Sequence, residues 1–118
     1  MRLQLDATSS MHKAEVEVLV EVLSEKSNMA VIRTITRRFP GIVVQGDSLS
    51  VMYRQAARVA VGLRSIHDSE LRGEAVLLAQ SLSARLRHYE AALGDHGIEL
   101  PYSPIDWAGE PDWDSCFD

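Results

Sequence analysis

The segment Gly46–Ser50, which reads Gly-Asp-Ser-Leu-Ser, contains the residue types of a nucleophilic serine site. It follows the apolar run 42–44 and precedes a helical pattern, so Ser48 would lie at a turn between a strand and a helix. A serine hydroxyl attacks an ester carbonyl only when a base accepts its proton and donors stabilise the oxyanion. A hydrolase that uses Ser48 therefore requires a histidine and oxyanion donors elsewhere in the chain.

This segment resembles the nucleophile block of the GDSL family of esterases and lipases. The resemblance implies a histidine three residues after an aspartate, together with an asparagine and a glycine at the oxyanion hole. The only asparagine, Asn28, precedes the motif instead of following it. The residues three before the four histidines (His12, His67, His88 and His96) are Ser9, Arg64, Arg85 and Leu93. Because aspartate and serine also cap helices, we interpret Asp47 and Ser48 as a helix cap and predict no catalytic residue. A small serine hydrolase that uses Ser48 is an alternative function.

Metal and cofactor sites are not predicted. The chain has one cysteine, Cys116, and its four histidines lack the spacing of a zinc site. His67-Asp68 and Asp95-His96 are sequence neighbours, which point in different directions on a helix. No apolar run reaches the roughly 18 residues of a membrane span, and no secretion signal is recognisable at the N-terminus. We therefore expect a cytoplasmic protein.

The acidic charge is concentrated near the C-terminus. The whole chain has a net charge of −5 from 17 acids and 12 bases, and six of the acids follow residue 98 without any lysine or arginine. That region, residues 99–118, also contains both tryptophans. Aromatic anchors beside acids are common in protein recognition. The predicted partner-binding residues are Asp106, Trp107, Glu110, Asp112, Trp113 and Asp114. The alternative is that Tyr102, Ile105 and Trp107 fold back onto the sheet of their own domain.

Arginines provide the only signal for nucleic acid. A binding surface of this kind would use Arg33, Arg37, Arg38, Arg54 and Arg58. The negative net charge weighs against it, because phosphate contacts dominate affinity for nucleic acids. A regulatory nucleic-acid-binding protein is therefore a second alternative.

The elements that would position these residues can be read from periodicity. Valines alternate with other residues between 16 and 22, and a β-branched run covers Met29–Thr36, so both predict strands. Pro40-Gly41 predicts a type II turn before a central strand at 42–44. Apolar residues three and four apart predict a first helix from Leu49 to Ile66. A similar pattern predicts a second helix of about 25 residues that Asp68 caps and that Gly94 or Gly97 ends.

These elements predict an α+β fold, with a three-stranded antiparallel β-meander packed against two antiparallel α-helices and an extended acidic C-terminal tail. We expect residues 1–13 to form a flexible leader, residues 14–98 a single α+β domain and residues 99–118 the tail. A three-stranded sheet leaves open edges, so a homodimer is expected.

The sequence Arg37–Leu49, which reads RRFPGIVVQGDSL, and the preceding SNMAVIRT resemble a family of small bacterial proteins of unknown function. The resemblance covers roughly residues 15–65. It implies a strand pair around the Arg-Arg-Phe-Pro-Gly turn that leads into helices, and it implies no activity. From size and acidity we predict a non-enzymatic protein-binding module without cofactors, most concretely an immunity-type inhibitor of a bacterial toxin such as a nuclease.

Overall fold

The computed structural model describes residues 17–111 and residue 113. These residues form two compact units. The sheet unit contains residues 17–45 and Leu93–Glu99, and the helical unit contains Gly46–Ala92 with the described residues that follow Glu99. The predicted leader, residues 1–13, lies outside the described residues.

The sheet unit contains three antiparallel strands in the order β1-β2-β3: β1 is Val20–Ser24, β2 is Val31–Thr34 and β3 is Gly41–Ile42. Val20 pairs with Thr34 and Val22 with Ile32, and the register shifts between Val22 and Ser24. Along β1 the half-buried and exposed positions alternate, as the valine pattern predicts. The predicted α+β class, with a three-stranded antiparallel sheet and two helices, is therefore confirmed.

The predictions for the turn before β3 and for its position in the sheet were wrong. Among the described residues, positive φ occurs at Asn28 and Gly97, so Gly41 does not adopt the conformation of a type II turn. Gly41 instead begins β3 and faces Ile32 across the ladder. Among the strands that the structure describes, β3 pairs with β2 alone, so it lies at an edge of the sheet and not at its centre. One further backbone hydrogen bond follows β3, in which the amide of Val43 donates to the carbonyl of Ala30 at 2.8 Å.

The helical unit is built from two helices, α1 at Gly46–Gly62 and α2 at Ser69–Asp95, and the last turn of α2 belongs to the sheet unit. The amide of Leu71 donates to the Asp68 carboxylate at 3.0 Å, so Asp68 is the predicted N-cap of α2. Helix α1 begins at Gly46, three residues before the predicted Leu49. Asp47 therefore lies in the first turn, where its carboxylate accepts the amide of Ser48 at 2.8 Å.

Gly97 ends α2, as one of the two predicted glycines. Its φ of 67° is the left-handed conformation that glycine adopts without strain. The amide of Ile98 donates to the carbonyl of Leu93 at 2.9 Å, and that of Gly97 donates to Gly94 at 3.2 Å. These two bonds form a Schellman motif, which satisfies carbonyls at the end of the helix.

The helices run antiparallel, as the contact between Gly46 at the start of α1 and Tyr89 near the end of α2 shows. A Cβ atom at Gly46 would overlap the Tyr89 ring. Their shared core contains small side chains that permit close approach: Ala56 and Ala60 from α1 with Val76 and Ala79 from α2. Trp113 packs into the same cluster. The glycine of the Gly-Asp-Ser-Leu sequence therefore has a packing role.

Candidate partner-binding surfaces

The acidic region after Glu99 is described for residues 100–111 and 113, which we call the C-terminal segment. It contains a 3₁₀ turn at Trp107–Gly109. Asp106 caps this turn, because its carboxylate accepts the amide of Gly109 at 3.0 Å. A Cβ atom at Gly109 would lie 2.5 Å from the same carboxylate, so the cap needs glycine at this position.

Glu90 of α2 binds the first half of the C-terminal segment. The hydroxyl of Tyr102 donates to its carboxylate at 2.6 Å, and the indole of Trp107 donates to the other oxygen at 2.7 Å. Arg54 of α1 adds a bond to the backbone, because its guanidinium donates to the carbonyl of Ser103 at 2.8 Å. Both helices therefore hold the segment.

Glu110 is the centre of the second set of contacts, which we call the Glu110 cluster. Its carboxylate accepts the hydroxyl of Tyr53 at 2.7 Å, the indole of Trp113 at 3.0 Å and the guanidinium of Arg87 at 2.5 Å. Only 9% of the Glu110 side chain is exposed. Tyr53 and Trp113 are buried, with 4% and 8% exposed. The cluster joins a tyrosine of α1, an arginine of α2 and the C-terminal segment.

The ionisation of the cluster follows from its hydrogen bonds. Burial alone would raise the pKa of Glu110, but donors from Tyr53, Trp113, Arg87 and Ser83 outweigh burial and hold this pKa below its ordinary value. Burial and the bond to the ionised Glu110 carboxylate raise the pKa of Tyr53. The folded chain therefore favours a carboxylate at Glu110 beside a neutral phenol at Tyr53.

Aromatic contacts reinforce the same region. The rings of Tyr53 and Trp107 lie 5.2 Å apart at 49°. The guanidinium of Arg87 lies 4.4 Å from the centre of the Trp107 ring, within the range of a cation–π interaction. Arg87 thus bonds Glu110 and covers Trp107 at the same time.

The structure places four of the six predicted partner-binding residues. Trp107, Glu110 and Trp113 contact the two helices of their own chain, and Asp106 is exposed while it caps the 3₁₀ turn. Asp112 and Asp114 lie outside the described residues. Tyr102 and Trp107 fold back onto their own chain, where both bind Glu90 of α2.

The arginines of the predicted nucleic-acid surface belong to two different units. Arg33 donates to Glu21 of the neighbouring strand at 2.5 Å, and Arg54 bonds the C-terminal segment. Arg37, Arg38 and Arg58 are exposed. Among residues 17–111 and 113, no group of three or more histidine, cysteine or acidic side chains is arranged to hold a metal ion.

A surface that sequence reasoning missed lies in the sheet unit. Ile35, Phe39 and Ile42 are 79%, 75% and 58% exposed, and Arg37 and Arg38 stand between them in the chain. We call these five residues the β2–β3 turn surface.

An open groove of about 320 Å³ runs beside the β2–β3 turn surface and is lined by Ile32, Thr34, Arg37, Phe39, Gly41 and Ile42. The guanidinium of Arg38 lies 5.4 Å from the centre of the Phe39 ring. The sequence shows that Phe39 lies between two predicted strands, but it does not show whether other residues cover the side chain.

None of the helices in the described part of the chain is long and apolar enough to cross a membrane. Comparison with curated proteins and with solved structures gives no match. The model of one protein family matches residues 11–102, which extends the predicted resemblance to α2 and to the start of the C-terminal segment. The chain therefore belongs to DUF6959, a family of unknown function.

Proposed function

We propose that this chain is a non-enzymatic, cytoplasmic protein-binding module, and most concretely an immunity-type inhibitor of a bacterial toxin. The observation that supports the proposal is the exposure of the β2–β3 turn surface. Exposed apolar residues that are grouped on one surface mark interaction sites more often than scattered ones do. Aromatic and arginine side chains are also the residues that contribute most to protein interfaces.

The chemistry of this surface favours a protein partner. Phe39 supplies an apolar anchor, and Arg37 and Arg38 supply planar groups that bind carboxylates in two-point fashion. A complementary partner would present an apolar pocket with acidic residues at its rim. The edge strand β3 lies in the same region, so an extended segment of the partner could also pair with its backbone.

The acidic residues near the C-terminus have a separate role in this proposal. Asp106 is exposed, and Asp112 and Asp114 belong to the same acidic sequence. Acidic groups attract a basic cleft, such as that of a nuclease, and accelerate association. Because Trp107 and Trp113 are bound within the chain, we assign charge steering to the acids and the apolar contact to Phe39.

The test is affinity capture of partners from the source cells by the full chain and by Phe39→Asp. Leu77→Asp is the matched control, because Leu77 is a large apolar residue that is 55% exposed on α2. We expect one stoichiometric partner that the control retains and Phe39→Asp loses. The immunity role requires in addition that the purified partner is toxic and that one equivalent of this chain inhibits it.

Different results would refute different parts of the proposal. Equal capture by the wild type and Phe39→Asp would exclude the β2–β3 turn surface as the binding site. A captured partner without toxic activity would exclude the immunity role, while the chain would still be a protein-binding module. Ester hydrolysis that disappears in a folded Ser48→Ala variant would overturn the non-enzymatic assignment, and salt-sensitive retention on DNA or RNA would favour the nucleic-acid alternative.

A further inference from the structure

Both helices carry large apolar residues that are about half exposed. On α2, Leu71 and Leu78 are 48% and 56% exposed, and on α1, Met52 and Val59 are 43% and 56% exposed. Each pair is seven residues apart, which is the spacing of one helical face, and we call these four residues the helix stripe. Exposed apolar residues grouped in this way are typical of an interaction surface.

The residues of the helix stripe lie on the same side of the helix pair. Each of Met52, Val59 and Leu78 directly precedes a buried residue, so each is rotated in the same direction from the buried face of its helix. In an antiparallel pair, equal rotation places both sets of side chains on one side of the layer. The C-terminal segment covers the opposite side, where Arg54 and Arg87 directly follow the buried Tyr53 and Leu86.

Charges beside the helix stripe indicate its occupant. On the outer edge of α2, the exposed Glu70 and Glu74 lie beside Leu71 and Leu78, and the exposed Arg85 follows Leu78 by about two helical turns. Opposite charges at Glu74 and Arg85 complement an identical helix that runs in the opposite direction. A parallel copy would instead place Glu74 against Glu74, and like charges across an interface are unfavourable.

The charged pair of α2 and the apolar pair of α1 give one centre for this arrangement, and Leu78 lies close to it. The midpoint of Glu74 and Arg85 falls between Ala79 and Gln80, and the midpoint of Met52 and Val59 falls between Gln55 and Ala56. Ala56 and Ala79 belong to one buried cluster, so a single two-fold axis can pass both positions. Helix α2 has 27 residues and is about 40 Å long, which is enough for both charge pairs to form within its length.

We propose that the helix stripe is a homodimer interface, in which two copies pack as an antiparallel four-helix bundle. In this bundle Glu74 of each protomer faces Arg85 of its partner, and Met52 faces Val59. The two-fold axis repeats each charge pair, so the dimer contains two Glu74–Arg85 pairs. The surface differs from the β2–β3 turn surface, and the inference does not depend on the proposed function.

The test is sedimentation equilibrium of the full chain and of four variants. Wild type is expected to be a dimer, and Leu78→Glu a monomer with unchanged helix content. Glu74→Arg and Arg85→Glu each create like-charge pairs and should weaken dimerisation by about tenfold or more at low salt. Both residues are exposed, so these variants are expected to fold. The double variant Glu74→Arg/Arg85→Glu restores opposite charges and should dimerise like the wild type.

A mixture gives the sharpest result. Combining the Glu74→Arg chain with the Arg85→Glu chain places opposite charges in both pairs, so the mixture should form a heterodimer more readily than either chain self-associates. A monomeric wild type at high concentration would overturn the proposal. So would a dimer whose affinity is unchanged in Leu78→Glu, or a double variant as weak as the single ones.

Discussion

Replacement of Glu110 by alanine provides the most direct test of how the C-terminal segment is held. The substitution removes the acceptor of two buried donors, the hydroxyl of Tyr53 and the indole of Trp113. A buried donor without an acceptor costs about 1–3 kcal/mol. Arg87 is half exposed, so its bond contributes about 0–1 kcal/mol. We therefore expect Glu110→Ala to lower the free energy of unfolding by about 3 kcal/mol, since water can solvate part of the opened cluster.

The assay is thermal and urea unfolding, followed by tryptophan fluorescence and by circular dichroism. For a domain of this size, about 3 kcal/mol corresponds to a fall in Tm of about 10 °C. Both tryptophans of the chain donate to glutamates that hold the C-terminal segment, so fluorescence reports its release. Glu99→Ala, at an exposed position, is the control and should change stability by less than about 0.5 kcal/mol.

A pH series gives a second, independent readout of the same cluster. The pKa of Glu110 is lower in the folded chain than in the unfolded one. The ionised carboxylate therefore adds stability above its ordinary pKa, and this contribution disappears as pH falls through the lowered folded value. Glu110→Gln should flatten this acid part of the stability profile. If Glu110→Ala unfolds like Glu99→Ala and the acid profile is unchanged, Glu110 does not hold the segment.

Three further substitutions test other parts of the structure. Gly46→Ala should lower the free energy of unfolding by about 2 kcal/mol, because the added methyl group overlaps the Tyr89 ring. Gly62→Ala has open space and a helical φ of −64°, so it should instead raise stability by up to about 1 kcal/mol. Equal effects of the two alanines in urea unfolding would contradict the close packing. Burial and the hydrogen bond to the Glu90 carboxylate raise the pKa of Tyr102 in the folded chain. The neutral phenol therefore adds stability below its ordinary pKa of about 10, and this stability is lost as pH rises from there through the raised folded value. Tyr102→Phe should therefore remove part of the alkaline loss of stability, and identical alkaline profiles of the two chains would refute the assigned bond.

The parts of the fold that depend on local sequence could be predicted. Spacing of apolar residues locates α2, and the side chain of Asp68 marks its start because an N-cap needs only neighbours in sequence. The start of α1 was missed by three residues, since glycine at position 46 is required by the contact with Tyr89 and not by a turn conformation. No local pattern contains that contact.

The direction of the C-terminal segment could not be predicted for the same reason. Trp107 and Trp113 have no helical or strand periodicity around them. A tryptophan that binds a partner and a tryptophan that is buried in its own chain therefore look alike in the sequence. The residues that decide between them, Tyr53 and Glu90, are distant along the chain. Exposure of Phe39 likewise depends on which residues reach it, which the Arg-Arg-Phe-Pro-Gly sequence does not state.

The bond between Tyr53 and Glu110 spans 57 residues, and this separation has a consequence for the order of folding. Contacts between the helices, such as that of Ala56 with Ala79, close shorter loops than this bond, so they have the lower entropic cost. The bonds of Tyr102 and Trp107 to Glu90 span only 12 and 17 residues. We therefore expect the helices to associate before Glu110 binds Tyr53. In that order Glu110 contributes little to the transition state, and Glu110→Ala should accelerate unfolding while the folding rate changes little. Stopped-flow folding and unfolding of the variant would measure both rates, and a slowed folding rate would place docking of the segment before the transition state.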